Sequence, residues 1–453
     1  MNTARVKSSS AVIVGLGKTG YSCARYLHAH GWRVAVTDTR EKPPELAKLQ
    51  VFDASIPVRL GGLDMKLLDD ALVVVASPGV PLSDPFFVEA RRRGLDIVGD
   101  VELFARAVDA PVVGITGTNG KSTVTTLVGR MAARAGMNVR VGGNLGEPVL
   151  DLLTAAESDA KQTELYVLEL SSYQLESTES LDLKAAVVLN VTSDHMDRYA
   201  TIEDYAAAKA RIFARCDVAV INLDDPLVVA MPRPGQNTLG FSLRSTVGAE
   251  FSVVTGRDSK WWLARRGELL MAVAAMKLTG LHNAANALAS LALGEALGLP
   301  LDVMLDELRE FPGLPHRSQW VADVNGVAYV NDSKGTNVGA TLAAVAGMAG
   351  PLVMIAGGDG KNQDFAPLAD AFRGKVRHTV LIGRDAEAIA KALEGVCALE
   401  RAKTLEDAVR AAAQAAQPGD TVLLSPACAS LDMFRDYTHR GAVFAQAVKE
   451  LAA

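Results

Sequence analysis

The ten residues Gly114-Ile115-Thr116-Gly117-Thr118-Asn119-Gly120-Lys121-Ser122-Thr123 have the types and spacing to hold the phosphates of a nucleoside triphosphate. They follow the apolar run Pro111-Val112-Val113 and precede a helical pattern, the place where a strand hands a phosphate-binding loop to a helix. Glycines let the loop curl its N–H groups toward an anion, and the helix N-terminus adds partial positive charge. Lys121 reaches the outer phosphates, and Ser122 or Thr123 can ligate Mg²⁺. The general pattern asks for Gly at the position held by Ile115, with Gly114 and Gly117 on either side of it.

A second glycine pattern, Gly15-Leu16-Gly17-Lys18-Thr19-Gly20, stands directly after the apolar run Ala11–Val14, and Asp38 ends the next strand at the spacing of a ribose-binding acid. A nicotinamide dinucleotide and another nucleotide diphosphate both satisfy such a turn. Ser77-Pro78-Gly79 forms a further turn at the same sheet edge. Glu169 ends the apolar strand Tyr166-Val-Leu and, with Ser122, reads as a metal clamp or as a solvated strand-end acid. Asn190 to Tyr199 crowds Asp194, His195, Asp197 and Arg198 into one loop after a strand. Lys209, in the helical run Tyr205-Ala-Ala-Ala-Lys209, reads as a surface lysine on its own spacing.

The elements that must position these residues fall into three blocks. A chain of 453 residues exceeds one ordinary core, so two or three domains are expected. Apolar runs at Ala11–Val14, Val34–Val36 and Leu72–Ala76 alternate with helical stretches, giving a first α/β block. A second series begins at Pro111 and runs through 138–141, 165–170, 185–189 and 218–221, followed between 238 and 277 by short segments expected as antiparallel strands. After the turn-rich Phe311-Pro-Gly-Leu-Pro315, a third series has strands near 327–330, 352–356, 379–382 and 421–424. With 46 basic and 52 acidic residues and no basic block, nothing asks for nucleic acid. Four scattered cysteines fit reduced thiols in a cytoplasmic protein and offer no zinc site. No apolar stretch is long enough for a secretion signal or a membrane span, so a soluble protein is expected.

The chain resembles the Mur ligase family of peptidoglycan synthesis. The carriers are Thr116 to Thr123, Gly142-Gly-Asn-Leu-Gly146, Leu168-Glu-Leu-Ser-Ser172, Asn190 to Tyr199, His282-Asn283 with Asn286, Leu314-Pro-His-Arg317, Asp332 to Asn337, Gly357-Gly-Asp-Gly-Lys361 and Ser425 to Ser430. The resemblance implies a three-domain α/β fold: a Rossmann-like domain over 1–108, a P-loop NTPase-like domain over 109–313 whose parallel sheet is joined by a small antiparallel sheet, and a Rossmann-like domain over 314–453. It implies an ATP-dependent amide ligase that adds D-glutamate to UDP-N-acetylmuramoyl-L-alanine through an acyl phosphate, working as a monomer in the cytoplasm. Under it, Gly17, Lys18, Thr19, Asp38, Thr39, Arg40 and Gly79 become contacts of the UDP part, with Asn144 on the same acceptor, and no nicotinamide is needed. Gly117, Thr118, Asn119, Gly120, Lys121, Ser122 and Thr123 hold the ATP phosphates, Asn283 and Asn286 lie by the adenine, Arg317 by the phosphates and Asp332 by the ribose. Thr336, Lys361, Ser430 and Tyr437 match positions that bind D-glutamate. Two Mg²⁺ ions are implied, ligated by Ser122, Glu169, His195 and Lys209, the last carrying CO₂ as a carbamate; Lys121, Glu169, His195 and Lys209 form the catalytic set. Lys334 receives no single role.

Overall fold

The computed structural model describes residues 9–278, 280–348 and 350–451. They build three sheets in chain order.

The first sheet has five parallel strands in the order Val58–Leu60, Arg33–Asp38, Ser10–Val14, Val73–Ala76, Asp96–Val98. The chain winds outward from the central strand and then returns to its other side. The loops leaving Ser10–Val14 and Val73–Ala76 therefore part, opening a crevice at the carboxyl edge where ligands bind in such sheets. The two short edge strands escaped the sequence series because each spans three residues and carries an exposed charge, Arg59 or Asp96.

The second sheet has nine strands, ordered Glu268–Ala272, Trp261–Arg265, Phe251–Thr255, Thr238–Ser242, Cys216–Asn222, Leu183–Val188, Val112–Thr116, Leu165–Glu169, Val139–Gly143. The parallel core is as expected, but the antiparallel part is not a separate sheet. Thr238–Ser242 pairs parallel with Cys216–Asn222, and Phe251 pairs parallel with Phe241, so antiparallel pairing is confined to the two flanks of Trp261–Arg265, with Phe251–Thr255 and with Glu268–Ala272, at one edge of the same sheet. A polar clamp sets the direction: Asp224, just past Asn222, accepts from Ser242 Oγ (2.6 Å) and Leu243 N (2.6 Å), holding both carboxyl ends together. Helices Lys121–Arg134, Leu281–Ala296 and Leu301–Glu310 cover one face around Val113, Ile115, Leu127, Leu288 and Leu308.

The third sheet runs Gln319–Val324, Val327–Asn331, Thr421–Leu424, Leu352–Gly357, Val376–Ile382, Ala398–Arg401, parallel except for its first strand and packed on both faces.

The first two sheets share one apolar cluster that runs from Ile13 and Val36 through Phe104 and Leu150 to Leu168 and Val188. Two buried acids on helix Asp100–Ala105 reinforce the junction. Asp100 accepts from Gln174 Nε2 (3.1 Å), and Glu102 accepts from the N–H groups of Glu179 (2.7 Å) and Ser180 (2.9 Å). Burial pushes the Asp100 carboxyl up to about 6, against the bond from Gln174. Arg198 adds a further tie, donating to Pro78 O (2.9 Å) while stacked 4.1 Å over the Tyr173 ring. No helix among the described residues is long and apolar enough to cross a membrane.

Candidate active site

The buried strand Val112–Thr116 delivers the chain into a loop closed by helix Lys121–Arg134. Ile115 lies inside that strand, in register with Glu169 and Val187, so the position where the general pattern expects glycine is sheet and the loop is short. Gly117 (φ 143°) and Gly120 (φ 87°) take backbone conformations that a side chain would strain. A Cβ on Gly120 would also strike Asn286 Oδ1 at 2.3 Å. Asn190 braces the loop by accepting from Thr118 N (2.9 Å) through its carbonyl and from Asn119 N (2.8 Å) through Oδ1. Lys121 arches over the loop, its Nζ donating to Gly117 O (2.8 Å) and Thr118 O (2.9 Å).

Behind the loop lies a polar chamber of about 270 Å³ lined by Lys121, Ser122, Asn144, Glu169, His195 and Lys209, together with Thr336 and Lys361 of the third unit. Glu169 is buried; its Oε1 accepts from Asn144 Nδ2 (2.7 Å), and its Oε2 makes no hydrogen bond among the described residues. Burial alone would raise this carboxyl. Lys121, Ser122, Asn144 and Arg317 more than offset that and hold it below its ordinary value.

Lys209 is not a surface lysine. It is 1% exposed, with Nζ donating to Gly117 O (3.0 Å) and standing 4.3 Å over the Tyr205 ring. Burial, then the neighbouring Lys121 charge, push its amine well below the usual lysine range despite Asp194 and Glu169. His195 takes a left-handed backbone conformation (φ 59°) and packs edge-on to Tyr173 at 5.0 Å. Burial pulls its imidazole down to about 4, although Asp194 Oδ2 lies 3.6 Å away, so the ring is neutral near pH 7.

Beyond the loop a second chamber, about 240 Å³, brings together Asn119, Gly120, Thr123, Asn283, Asn286 and Arg317 with Asp332 and the apolar Leu189, Phe241 and Leu278. Arg317 Nη2 donates to Ser122 Oγ (2.7 Å), and Asn286 Nδ2 to Asn283 Oδ1 (3.2 Å). Asp332 accepts from Ser318 N (3.0 Å) and Ser425 Oγ (2.8 Å), and burial lifts its carboxyl to about 6.

The third chamber, about 600 Å³, is the crevice of the first sheet, and it gathers Gly17, Lys18, Thr19, Asp38, Thr39, Arg40 and Gly79 with Asn144 from the central unit. Gly20 allows a close crossing, since a Cβ there would sit 1.9 Å from Gly15 O; Gly17, at the start of helix Lys18–Ala29, faces open space. The Asp38 carboxylate is spent on its own turn: it accepts from Leu16 N (2.7 Å), Arg40 N (2.8 Å) and the Arg40 guanidinium (2.7 and 2.9 Å).

The three chambers are lined by every expected site residue but Gly117, whose carbonyl lies under Lys121 and Lys209, and two from the third unit. Ser430, buried with its carbonyl accepting from Phe434 N (2.8 Å), lies outside the lining of all three chambers. Tyr437 also stands behind the lining, its ring 4.0 Å from Lys334 Nζ. Sequence reasoning left Asp194 and Asn337 out of the site. Asp194 is buried, accepts from Asn337 Nδ2 (3.2 Å) and faces Lys361 Nζ at 3.5 Å, joining the central unit to the third. Its position beside His195 is the only signal of this, and Asp197 shares it.

The chain carries three matches to family models in order: Mur ligase MurD-like, N-terminal domain over 9–99, Mur ligase middle domain over 115–294, and Mur ligase, glutamate ligase domain over 316–428. The fold agrees with solved structures of a pseudomurein peptide ligase type C from Methanothermus fervidus (TM-score 0.62, 18% identity, 98% of this chain and 100% of that one) and a UDP-N-acetylmuramate-alanine ligase from Thermotoga maritima (TM-score 0.61, 18% identity, 97% and 99%). The chain belongs to the Mur ligase family, whose members are ATP-dependent ligases. Within the family, two similar relatives bear the name UDP-N-acetylmuramoylalanine--D-glutamate ligase: one from Nitrosococcus oceani, 50% identical over 446 residues (98% of this chain, 97% of the relative), and one from Pseudomonas aeruginosa, 50% identical over 445 residues (97% and 98%).

Proposed function

We propose that this chain joins D-glutamate to UDP-N-acetylmuramoyl-L-alanine in peptidoglycan precursor synthesis, with cleavage of ATP to ADP and phosphate, as a monomer in the cytoplasm. The names of its half-identical relatives support the substrates. The observation that carries the reading is Asn144, which lines both the first-sheet crevice and the polar chamber and donates to Glu169 at 2.7 Å. An acceptor whose diphosphate rests on Gly17, Lys18 and Thr19, with its uridine toward Asp38, Thr39, Arg40 and Gly79, would thread its carboxylate past Asn144 toward Lys121. ATP would lie with its phosphates on Gly117 to Thr123 and Arg317, its adenine by Asn283 and Asn286 and its ribose by Asp332.

The acceptor carboxylate oxygen attacks the γ-phosphorus, the bond to the β-phosphate oxygen breaks, and ADP leaves. The amine of D-glutamate then attacks the acyl carbon, phosphate departs and the nitrogen gives up a proton, for which His195 and the Lys209 carbamate are the two candidate acceptors in the chamber. No protein nucleophile is required: the chain aligns the reactants and supplies charge through Lys121. D-glutamate would meet Thr336 and Lys361, with Ser430 and Tyr437 brought nearer as the site fills.

Mg²⁺ fits the donor set. Glu169 Oε2 is buried without a hydrogen bond, Ser122 lines the same chamber, and since no three His, Cys, Asp or Glu side chains converge among the described residues, phosphate oxygens and water would complete the shell of the ion. A second ion would use His195 and the oxygens of Lys209 once carbamylated. Bound Mg²⁺ would neutralise charge on the transferring phosphate.

Phosphate release measured with UDP-N-acetylmuramoyl-L-alanine, ATP and single amino acids tests the assignment: D-glutamate alone should stimulate it, and stimulation by another amino acid would replace the assignment. The rival, a nicotinamide-dependent oxidoreductase, predicts that NADH binds and that Lys121→Ala leaves turnover intact, whereas the ligase reading predicts that activity collapses.

A further inference from the structure

The short helix Ser172–Glu176 serves both the crevice of the first sheet and the polar chamber: Ser172 and Tyr173 line the chamber, and Gln174 lines the crevice. Across the crevice entrance from it stands the turn Ser77-Pro78-Gly79 of the first unit. That turn is tied to its own glycine loop, with Ser77 Oγ donating to Gly15 O (2.9 Å) and Ser77 N to Val14 O (3.0 Å).

Arg198 joins the helix to the turn. It donates through Nη1 to Pro78 O (2.9 Å) and through Nη2 to Glu176 Oε2 (2.5 Å), with its guanidinium 4.1 Å from the centre of the Tyr173 ring. Tyr199 holds the other oxygen of the same anchor, its hydroxyl donating to Glu176 Oε1 (2.5 Å). The Arg198 backbone is fixed as well, its N–H donating to His195 O (2.9 Å), so the bracket is referred to a residue of the chamber. With Arg198 13% and Glu176 20% exposed, the charge-assisted bond and the aromatic face act where water competes little. Arg198 lines none of the three chambers, so it works through what it holds and not by touching a ligand.

We propose that Arg198 is a positioning residue that fixes the separation between the diphosphate seat of the first unit and the phosphate loop of the second, so that the enzyme reads the length of the acceptor's tail as well as its UDP part. This rests on the ligase reading above. An acceptor seated on Gly17 to Thr19 reaches Lys121 only past Asn144, and its carboxylate is in line with the γ-phosphorus only when its tail matches the distance between the two seats. A misplacement of about 1 Å at that point costs about a hundredfold in rate. The bracket from Glu176 through Arg198 to Pro78 sets the distance.

The test compares the unaltered enzyme with Arg198→Met and Arg198→Lys in steady-state ligation of D-glutamate. The acceptors are UDP-N-acetylmuramoyl-L-alanine and its glycyl and β-alanyl analogues, the last two differing by one methylene between amide nitrogen and carboxylate. The unaltered enzyme should favour the glycyl tail, which has the length of the L-alanyl one. With the L-alanyl acceptor, Arg198→Met should lower kcat about thirtyfold while KM for ATP and the inhibition constant of free UDP stay within about threefold. The glycyl-to-β-alanyl ratio of kcat/KM should fall at least about fivefold, since a released bracket no longer penalises the longer tail. Arg198→Lys, a point charge that can serve Pro78 O or Glu176 but not both, should fall between the two. Glu176→Gln keeps the shape of the anchor without its charge; it should move the ratio in the same direction, and it carries the test if Arg198→Met does not fold. An unchanged kcat, a lowered kcat with the ratio unchanged, or no tail-length preference in the unaltered enzyme overturns the inference. If the unaltered enzyme ligates none of the three acceptors, the ligase reading fails and takes this inference with it, a result distinct from a change confined to the variants.

Discussion

Lys121 and Lys209 donate to the same carbonyl oxygen, that of Gly117, at 2.8 and 3.0 Å. Two ammonium groups cannot crowd one buried oxygen cheaply, and it is Lys209, the more deeply buried, whose amine is pushed well below the usual range. A neutral amine is the form that adds to CO₂, with one N–C bond made and one proton lost. Enzyme equilibrated with [¹³C]bicarbonate should show a carbamate carbon resonance that disappears in Lys209→Met. Lys209→Arg, which stays charged, should fail to restore turnover and leave kcat down about a hundredfold or more. Full activity in either variant would remove Lys209 from the chemistry.

Asp194 and Lys361, 3.5 Å apart, form the charged contact between the central and third units inside the chamber. Asp194→Asn keeps an acceptor for His195 N but discards the charge that holds Lys361. KM for D-glutamate should rise about tenfold while KM for ATP stays within about twofold. Equal changes in both constants would count against a role in amino-acid capture.

Two glycines three residues apart should behave oppositely. Gly20→Ala puts a Cβ 1.9 Å from Gly15 O and should cost about 3 kcal/mol, read as a lowered unfolding midpoint. Gly17→Ala meets nothing within 4 Å, so the midpoint should stay within about 1 °C of the parent. Its KM for the UDP acceptor should nonetheless rise about tenfold, because the new methyl group would stand where a diphosphate must approach. An unaltered KM would move the acceptor elsewhere.

Asp100 gives the fold a pH signature. Its folded carboxyl titrates near 6 against an ordinary value of 3.8, because burial disfavours the charge. The folded state therefore holds that proton more tightly than the unfolded chain, and the associated stability is complete below about pH 4 and lost as pH rises through 6. Asp100→Asn removes this dependence. Its stability relative to the parent should increase between pH 4 and pH 7 by up to about 3 kcal/mol, measured by denaturant unfolding at each pH. A difference independent of pH would mean that folding leaves the Asp100 carboxyl at its ordinary value.

What the sequence made legible follows from where chemistry sits in parallel sheets. Lys121, Glu169 and His195 come after or at the ends of strands Val112–Thr116, Leu165–Glu169 and Leu183–Val188, whose apolar runs announce both the strand and the loop that must leave it. Lys209 gave no such signal, because a lysine within helix Ile202–Ala210 is buried by what the helix lies against, and that is decided by tertiary packing on Gly117. The parallel course of Thr238–Ser242 was hidden for a similar reason: the clamp from Asp224 joins groups 18 and 19 residues apart, beyond any local pattern. Lys334 was visible as a residue, but its position over the Tyr437 ring depends on a contact between segments about a hundred residues apart in the chain.

The apolar cluster from Ile13 to Val188, with Asp100 and Glu102 hydrogen-bonded across the junction, joins the crevice of the first sheet and the loop before Lys121 through one continuous core. An inhibitor spanning from Gly17 past Asn144 to Lys121 would draw its whole footprint from the first two units, with no contribution from the third. A compound reaching on to Lys361 would depend on the third unit as well, and its binding would weaken with substitutions at the Asp194–Lys361 contact.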